Sequence, residues 1–211
     1  MKQPVGRLHI FLLVSLACIF AWSGYRPRDR FTWFLEVIPA LLGLAVLLPT
    51  YRRFRFTDMV YVLVWVHCIV LMAGGKYTYA QMPLFEYFKD IFGWTRNNYD
   101  KLGHVIQGVS PALISRELFI RREVVNGNGW TFFLAVAVPL AFAALYEIFE
   151  WIVAVINGEK AEGFLGTQGY FWDTQTDLFA CLAASIAALI LLSSWHDRQI
   201  QKFANTSASL R

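Results

Sequence analysis

The chain has 211 residues, of which 57% are hydrophobic and 16% charged, with a net charge of +4. A soluble domain carries about 25% charged residues. Here the charges fall between long apolar runs, which excludes an ordinary soluble core, and the positive excess lies in loops and requires no nucleic-acid partner.

A helix needs roughly 20 mostly apolar residues to cross a bilayer. Six runs meet or approach that length: 8–23, 31–49, 57–75, 100–120, 130–156 and 174–195. They are long and do not alternate, so they predict helices and not barrel strands. Lys2 and Arg7 precede the first run, but no small-x-small cleavage site follows it, so it is read as a retained helix and not a removed signal. Between the third and fourth runs, residues 83–94 place Leu84, Phe88, Ile91 and Phe92 on one face, and Glu86, Lys89 and Asp90 on the others. That pattern predicts a short helix lying in the membrane interface, with a packed loop as the alternative. The fourth run is the least apolar. The loop before the last run holds Gly158, Gly163, Gly166 and Gly169 and is expected to form a flexible cover. Trp22, Trp33, Trp130, Trp172 and Trp195 sit at or near run ends, where indole rings prefer the interface. Cys18, Cys68 and Cys181 lie inside runs without metal spacing and are expected to pack as small apolar residues. The predicted fold class is all-α: a polytopic membrane helix bundle, one integral membrane domain over residues 1–211.

Basic residues in short loops set orientation. With both termini cytoplasmic, 11 of the 19 Lys and Arg residues lie inside, among them Lys2, Arg52, Arg53, Arg55, Arg116, Arg121, Arg122 and Arg211. The loop holding Arg26, Arg28 and Arg30 opposes that assignment and is outweighed by the later loops.

Ionisable residues inside spans are rare and usually functional. The fourth run supplies Asp100 and His104, followed by Gln107, on one helical face. The fifth supplies Glu147 and Glu150, and the sixth Asp173 and Asp177. Helices that alternate in direction bring all three pairs to the same depth, near the outer face. Capping accounts equally well for Asp100 and Asp173, which open their helices. It does not account for Glu147 and Glu150, which lie towards a helix C-terminus, where carboxylates are unfavourable.

So many carboxylates at one depth require compensation, and Lys101, Lys76 and Lys160 are the bases expected nearby. Protonation is one solution. A divalent cation held by Glu147, Glu150, Asp173 and Asp177 is another; oxygen ligands suit magnesium, manganese or calcium, and adding His104 admits zinc or iron. His104, oriented by Asp100, is then the candidate general acid or base. Tyr77, Lys76 and Lys101 are candidates for holding an anionic substrate group, with interface anchoring as the alternative for the first two. His67 either reaches the cluster or bonds a neighbouring helix. No organic cofactor is indicated.

The segments Tyr99-Asp100-Lys101-Leu102-Gly103-His104, Tyr146-Glu147-Ile148-Phe149-Glu150-Trp151 and Trp172-Asp173-Thr174-Gln175-Thr176-Asp177-Leu178 resemble the YjdF family of bacterial inner-membrane proteins over nearly the whole chain. The last three runs are more distantly similar to VanZ-like membrane proteins, which are linked to glycopeptide resistance. Asp100, Lys101, His104, Glu147 and Asp177 fit that pattern, whereas Glu150 and Cys181 stand where Gln and Asn are usual, and no matching Arg is found. These resemblances imply an inner-membrane location among membrane lipids. The leading expectation is a metal-dependent enzyme acting on a lipid or lipid-linked substrate at the outer leaflet. A cation-binding or proton-relaying module and a structural envelope partner remain as alternatives.

Overall fold

The computed structural model describes residues 5–158, 162–165 and 167–208. Lys2, Lys160, Gly166 and Arg211, invoked above, lie outside the described residues. The elements are α1 (Arg7–Gly24), α2 (Arg30–Thr50), α3 (Asp58–Tyr77), α4 (Pro83–Phe92), α5 (Tyr99–Arg122), α6 (Asn128–Asn157), α7 (Glu162–Leu165) and α8 (Asp173–Ala208). The described residues are thus all-helical, a polytopic membrane bundle. The last helix runs well past the predicted end at residue 195, since that end marks where the apolar run stops and the helix continues through the polar turns after it.

Local chemistry sets several boundaries. Asp29 caps α2, its carboxylate accepting from the Thr32 amide at 2.6 Å. Pro83 opens α4, and Gly93 closes it at φ +65°, a conformation that costs glycine little. No residue of α4 is buried, and Leu84, Tyr87, Ile91 and Phe92 are exposed, as an interfacial helix requires.

Five helices, α1, α2, α3, α6 and α8, are long and apolar enough to cross a membrane. The fourth predicted span, α5, falls short in apolarity, and its packing explains why. It lies against α3, α6 and α8, and nine of its 24 residues are buried, against five of 30 in α6. A helix shielded by protein need not be greasy. Its ends match those of its neighbours. The Tyr99 hydroxyl donates to the Val70 carbonyl of α3 at 3.0 Å, while Glu117 near its other end bonds Thr57, just before α3. Between Asp177 and His196 on α8, 19 residues rise ~28 Å, close to the hydrocarbon thickness of about 30 Å.

The first and last described helices meet at the opposite end. Arg55, in the turn between α2 and α3, lies 3.5 Å from His9 in the first turn of α1 and 5.7 Å over the Phe203 ring of α8. The start of α1 and the last turns of α8 therefore stand at one end of the bundle. Where α5, α6 and α8 meet, Ala112, Ala135, Ala143, Cys181 and Ser185 have no exposed surface. Apolar lipid gives no hydrophobic drive between helices, so small side chains that let backbones approach supply the packing.

Candidate functional site

At the bundle end opposite the termini, α5, α6 and α8 bring their polar pairs together. His104 Nε2 lies 3.3 Å from Glu147 Oε1 and 3.8 Å from Asp177 Oδ1. The Thr174 hydroxyl donates to Glu147 Oε2 at 2.8 Å, which leaves Oε1 turned toward the imidazole. His104 and Glu147 are more than nine-tenths buried, yet His104 Nδ1 and Glu147 Oε1 have no hydrogen-bond partner. Orphaned buried polar atoms are costly and point to a ligand or water. One atom each from His104, Glu147 and Asp177 lies within 4.8 Å of the others. Ligands held at roughly 2–2.6 Å from one ion stand no more than about 5 Å apart, so this trio fits a divalent cation.

Asp100, Asp173 and Asp177 form a second trio within the same limit, but cations of the chain already serve it. Lys101 Nζ lies 2.8 Å from Asp173 Oδ1, 2.9 Å from Asp177 Oδ1 and 3.5 Å from Asp100 Oδ2. Arg96 pairs with both Asp100 and Asp173.

Arg96 corrects the expectation that only lysines lie nearby. It stands four residues before Asp100, but in the irregular segment ahead of α5, where no helical period is expected, and it is buried. The segment is strapped down by reciprocal bonds between Asn97 and Gln168, at 2.9 and 2.8 Å. The Asn97 amide also donates to Glu86 at 2.8 Å. The Lys89 ammonium and that amide hold the Glu86 carboxyl below the usual carboxylate range. Tyr170 covers the cations, with Arg96 and Lys101 at 5.5 and 5.9 Å from its ring centre.

The expected Asp100–His104 contact is not formed. Asp100 instead takes Arg96 one turn before it, and His104 faces Glu147 and Asp177. Lys76 and Tyr77 are likewise not among the residues lining the cavity. Lys76 donates to the Trp22 and Tyr25 carbonyls at 3.1 and 2.7 Å, and the Tyr77 ring lies against Trp22, so both tie α3 to the end of α1. His67 bonds Ser110 of α5 at 2.7 Å and also lines the cavity.

That cavity, of ≈ 90 Å³, also touches His104, Glu150, Asp173 and Asp177. It has room for an ion or a few waters. Glu150 lines it without joining either close trio. Glu36 of α2 lines it as well, accepting from the Tyr146 hydroxyl at 3.0 Å. In the sequence Glu36 is a lone acid inside the second run, and no partner at helical spacing marks it. Glu117 and His196, both fully buried, form a second polar centre at the other end that sequence spacing did not connect.

A family described as predicted membrane protein (DUF2238) matches residues 8–198. The chain is 42% identical over 190 residues to the inner membrane protein YjdF of Escherichia coli (strain K12), covering 90% of this chain and 91% of that protein. No solved structure matches.

Proposed function

The chain belongs to this family of predicted membrane proteins, and from that premise we propose that it is a divalent-cation-dependent enzyme of the bacterial inner membrane. Its substrate class is a lipid or lipid-linked compound with an anionic group, reached from the outer leaflet. The observation that carries this reading is the buried trio of His104, Glu147 and Asp177, with two polar atoms lacking partners. Glu147, Asp177 and His104 Nε2 would hold the cation, with Glu150 in reserve on the cavity wall. A bound ion supplies polarisation of a phosphoryl or acyl oxygen and an acidified water. Arg96 and Lys101 are spent on Asp100, Asp173 and Asp177 beside the cavity, so the cation itself would meet the anionic group of the substrate. His104 Nδ1, unpaired and beside the cavity, is the group to exchange a proton with substrate or water. Charge supports the orientation: Arg52, Arg53, Arg55, Arg121 and Arg122 gather at the end that carries the first and last helix ends and outweigh Arg26, Arg28 and Arg30, the bias of a cytoplasmic end, which would turn the site outward.

Metal content and melting temperature of the detergent-purified protein test the proposal. Added to metal-depleted protein at about a hundredfold its Kd, a divalent ion adds ~2.7 kcal/mol, a rise of roughly 5–10 °C. The double substitution Glu147→Gln with Asp177→Asn should remove that rise. If magnesium, manganese, calcium, zinc and iron all leave the wild-type melting temperature unmoved, the metal site is wrong. Glu36, Glu150, Tyr146 and Tyr79 continue along the same cavity and favour a second reading, a proton-relaying module. Proton flux into liposomes that the same double substitution abolishes, without any metal effect, would select it.

A further inference from the structure

At the bundle end that carries the termini, α1, α2 and α3 enclose a separate apolar cleft of ≈ 480 Å³. Its walls come from Leu12, Leu13 and Leu16 of α1, Leu44 and Leu48 of α2, and Val64 of α3. It opens toward the turn between α2 and α3, where Tyr51, Arg52 and His9 line its mouth and Arg53 and Arg55 follow. We propose that this cleft binds one anionic phospholipid, an acyl chain between the helices and the phosphate at the arginine-rich mouth.

Shape, charge and unmet hydrogen bonding agree. From His9 to Leu16 the cleft runs seven residues along α1, roughly 10 Å, about two-thirds of the hydrocarbon depth of one leaflet. Its volume lies within the range of small-molecule sites, about 300–1,000 Å³. A lipid-facing surface excludes water, so its natural occupant is a chain of methylenes.

The mouth is specific. Arg52 and Arg53 are exposed, and the Asp58 carboxylate is shared by Arg55 at 3.7 Å and His9 at 3.4 Å. His9 is nine-tenths buried, and its Nε2 makes no hydrogen bond despite that proximity; Tyr51 Oη and Arg55 Nε are also buried without partners. Of these, His9 and Tyr51 line the cleft, so two donors short of partners stand beside the exposed Arg52. Basic pockets between membrane helices recognise phospholipid headgroups in this way. The cleft is separate from the His104 site, and the inference is independent of the reaction proposed there.

Native mass spectrometry of the full chain, released from detergent with phosphatidylglycerol or phosphatidylcholine of identical acyl chains, tests it. The wild type should retain phosphatidylglycerol preferentially. Arg52→Gln should weaken that retention about fivefold, the factor expected for one basic residue near a membrane surface. Leu13→Trp, at a half-exposed position on the cleft wall, should block retention of both lipids. Equal retention of the two lipids by the wild type overturns the proposal. So does retention that neither substitution changes, or a dimer of the chain in place of the lipid adduct.

Discussion

Glu117 has no exposed surface, and every acceptor direction of its carboxylate is used. Oε1 takes the Thr57 amide at 3.0 Å and Arg121 Nη1 at 2.5 Å; Oε2 takes the Thr57 hydroxyl at 2.8 Å and His196 Nε2 at 3.0 Å. Arg116 donates to His196 Nδ1 at 3.3 Å, which makes Nδ1 the acceptor and leaves the imidazole proton on Nε2, pointing at Glu117. This centre differs from the His104 site in having no orphaned atom, so it reads as a structural lock joining α3, α5 and α8. Removing its acceptor strands Arg121, His196 and the Thr57 amide together. Losing one partner of a buried charged network costs about 3–5 kcal/mol. Glu117→Ala should therefore lower the melting temperature in detergent by at least about 6 °C. Glu117→Gln, which keeps one acceptor oxygen, should cost less. A change of under about 1 °C for the alanine variant would mean that the network contributes nothing net.

At the scale of elements, the α5–α8 contact sets the site. Gly108 of α5 faces the backbone of α8, where an added Cβ would stand 2.3 Å from the Cys181 carbonyl oxygen and 3.0 Å from the Ala184 methyl. The obstruction is backbone, so it yields only by moving the helices apart. Gly108→Ala should destabilise by about 1–3 kcal/mol, despite alanine's better helix propensity, and should loosen the Lys101–Asp177 contact one to two turns away. Gly43→Ala in α2 is the matched control: nothing lies within 4 Å of its Cβ, so its melting temperature should not fall. How much of this was legible in sequence depends on the length of the signal. The apolar runs that became α1, α2, α3 and α6 were plain because lipid demands roughly 20 apolar residues of each. The pairs Asp100/His104, Glu147/Glu150 and Asp173/Asp177 were legible because helical spacing and alternating direction bring them to one depth. The Arg96–Asp173 pair and the Glu117–His196 lock were not, because they join residues 77 and 79 positions apart, and no local period encodes such a contact. The failed Asp100–His104 pairing has the same cause: one helical turn permits two partners, and the long-range site decided for Arg96.

For the whole molecule, the decisive element is α5. Five crossings would place the segment before α5 and the turn after it on one side, and would separate the chain ends. Six crossings would place residues 95 and 123 on opposite sides and bring the start of α1 and the end of α8 together, in keeping with the contacts of Arg55 with His9 and Phe203. Thr95 and Glu123 are both exposed and flank α5, so they read its crossing directly. Single cysteines at these positions, in a background with Cys18, Cys68 and Cys181 replaced by serine, should respond oppositely to a membrane-impermeant maleimide added to intact cells. Cys at position 95 should be labelled without lysis. Cys at 123 should be labelled only after the membrane is opened, and a cysteine replacing Val5 should follow 123. Labelling of 95 and 123 from the same side would show that α5 does not cross. Labelling of 123 from outside and 95 only after lysis would keep six crossings but invert the molecule, moving the His104 site to the cytoplasmic leaflet and the arginine-mouthed cleft to the outer one. The charge distribution argues against that inversion, since each basic residue on the wrong side opposes the bias that orients membrane helices during insertion.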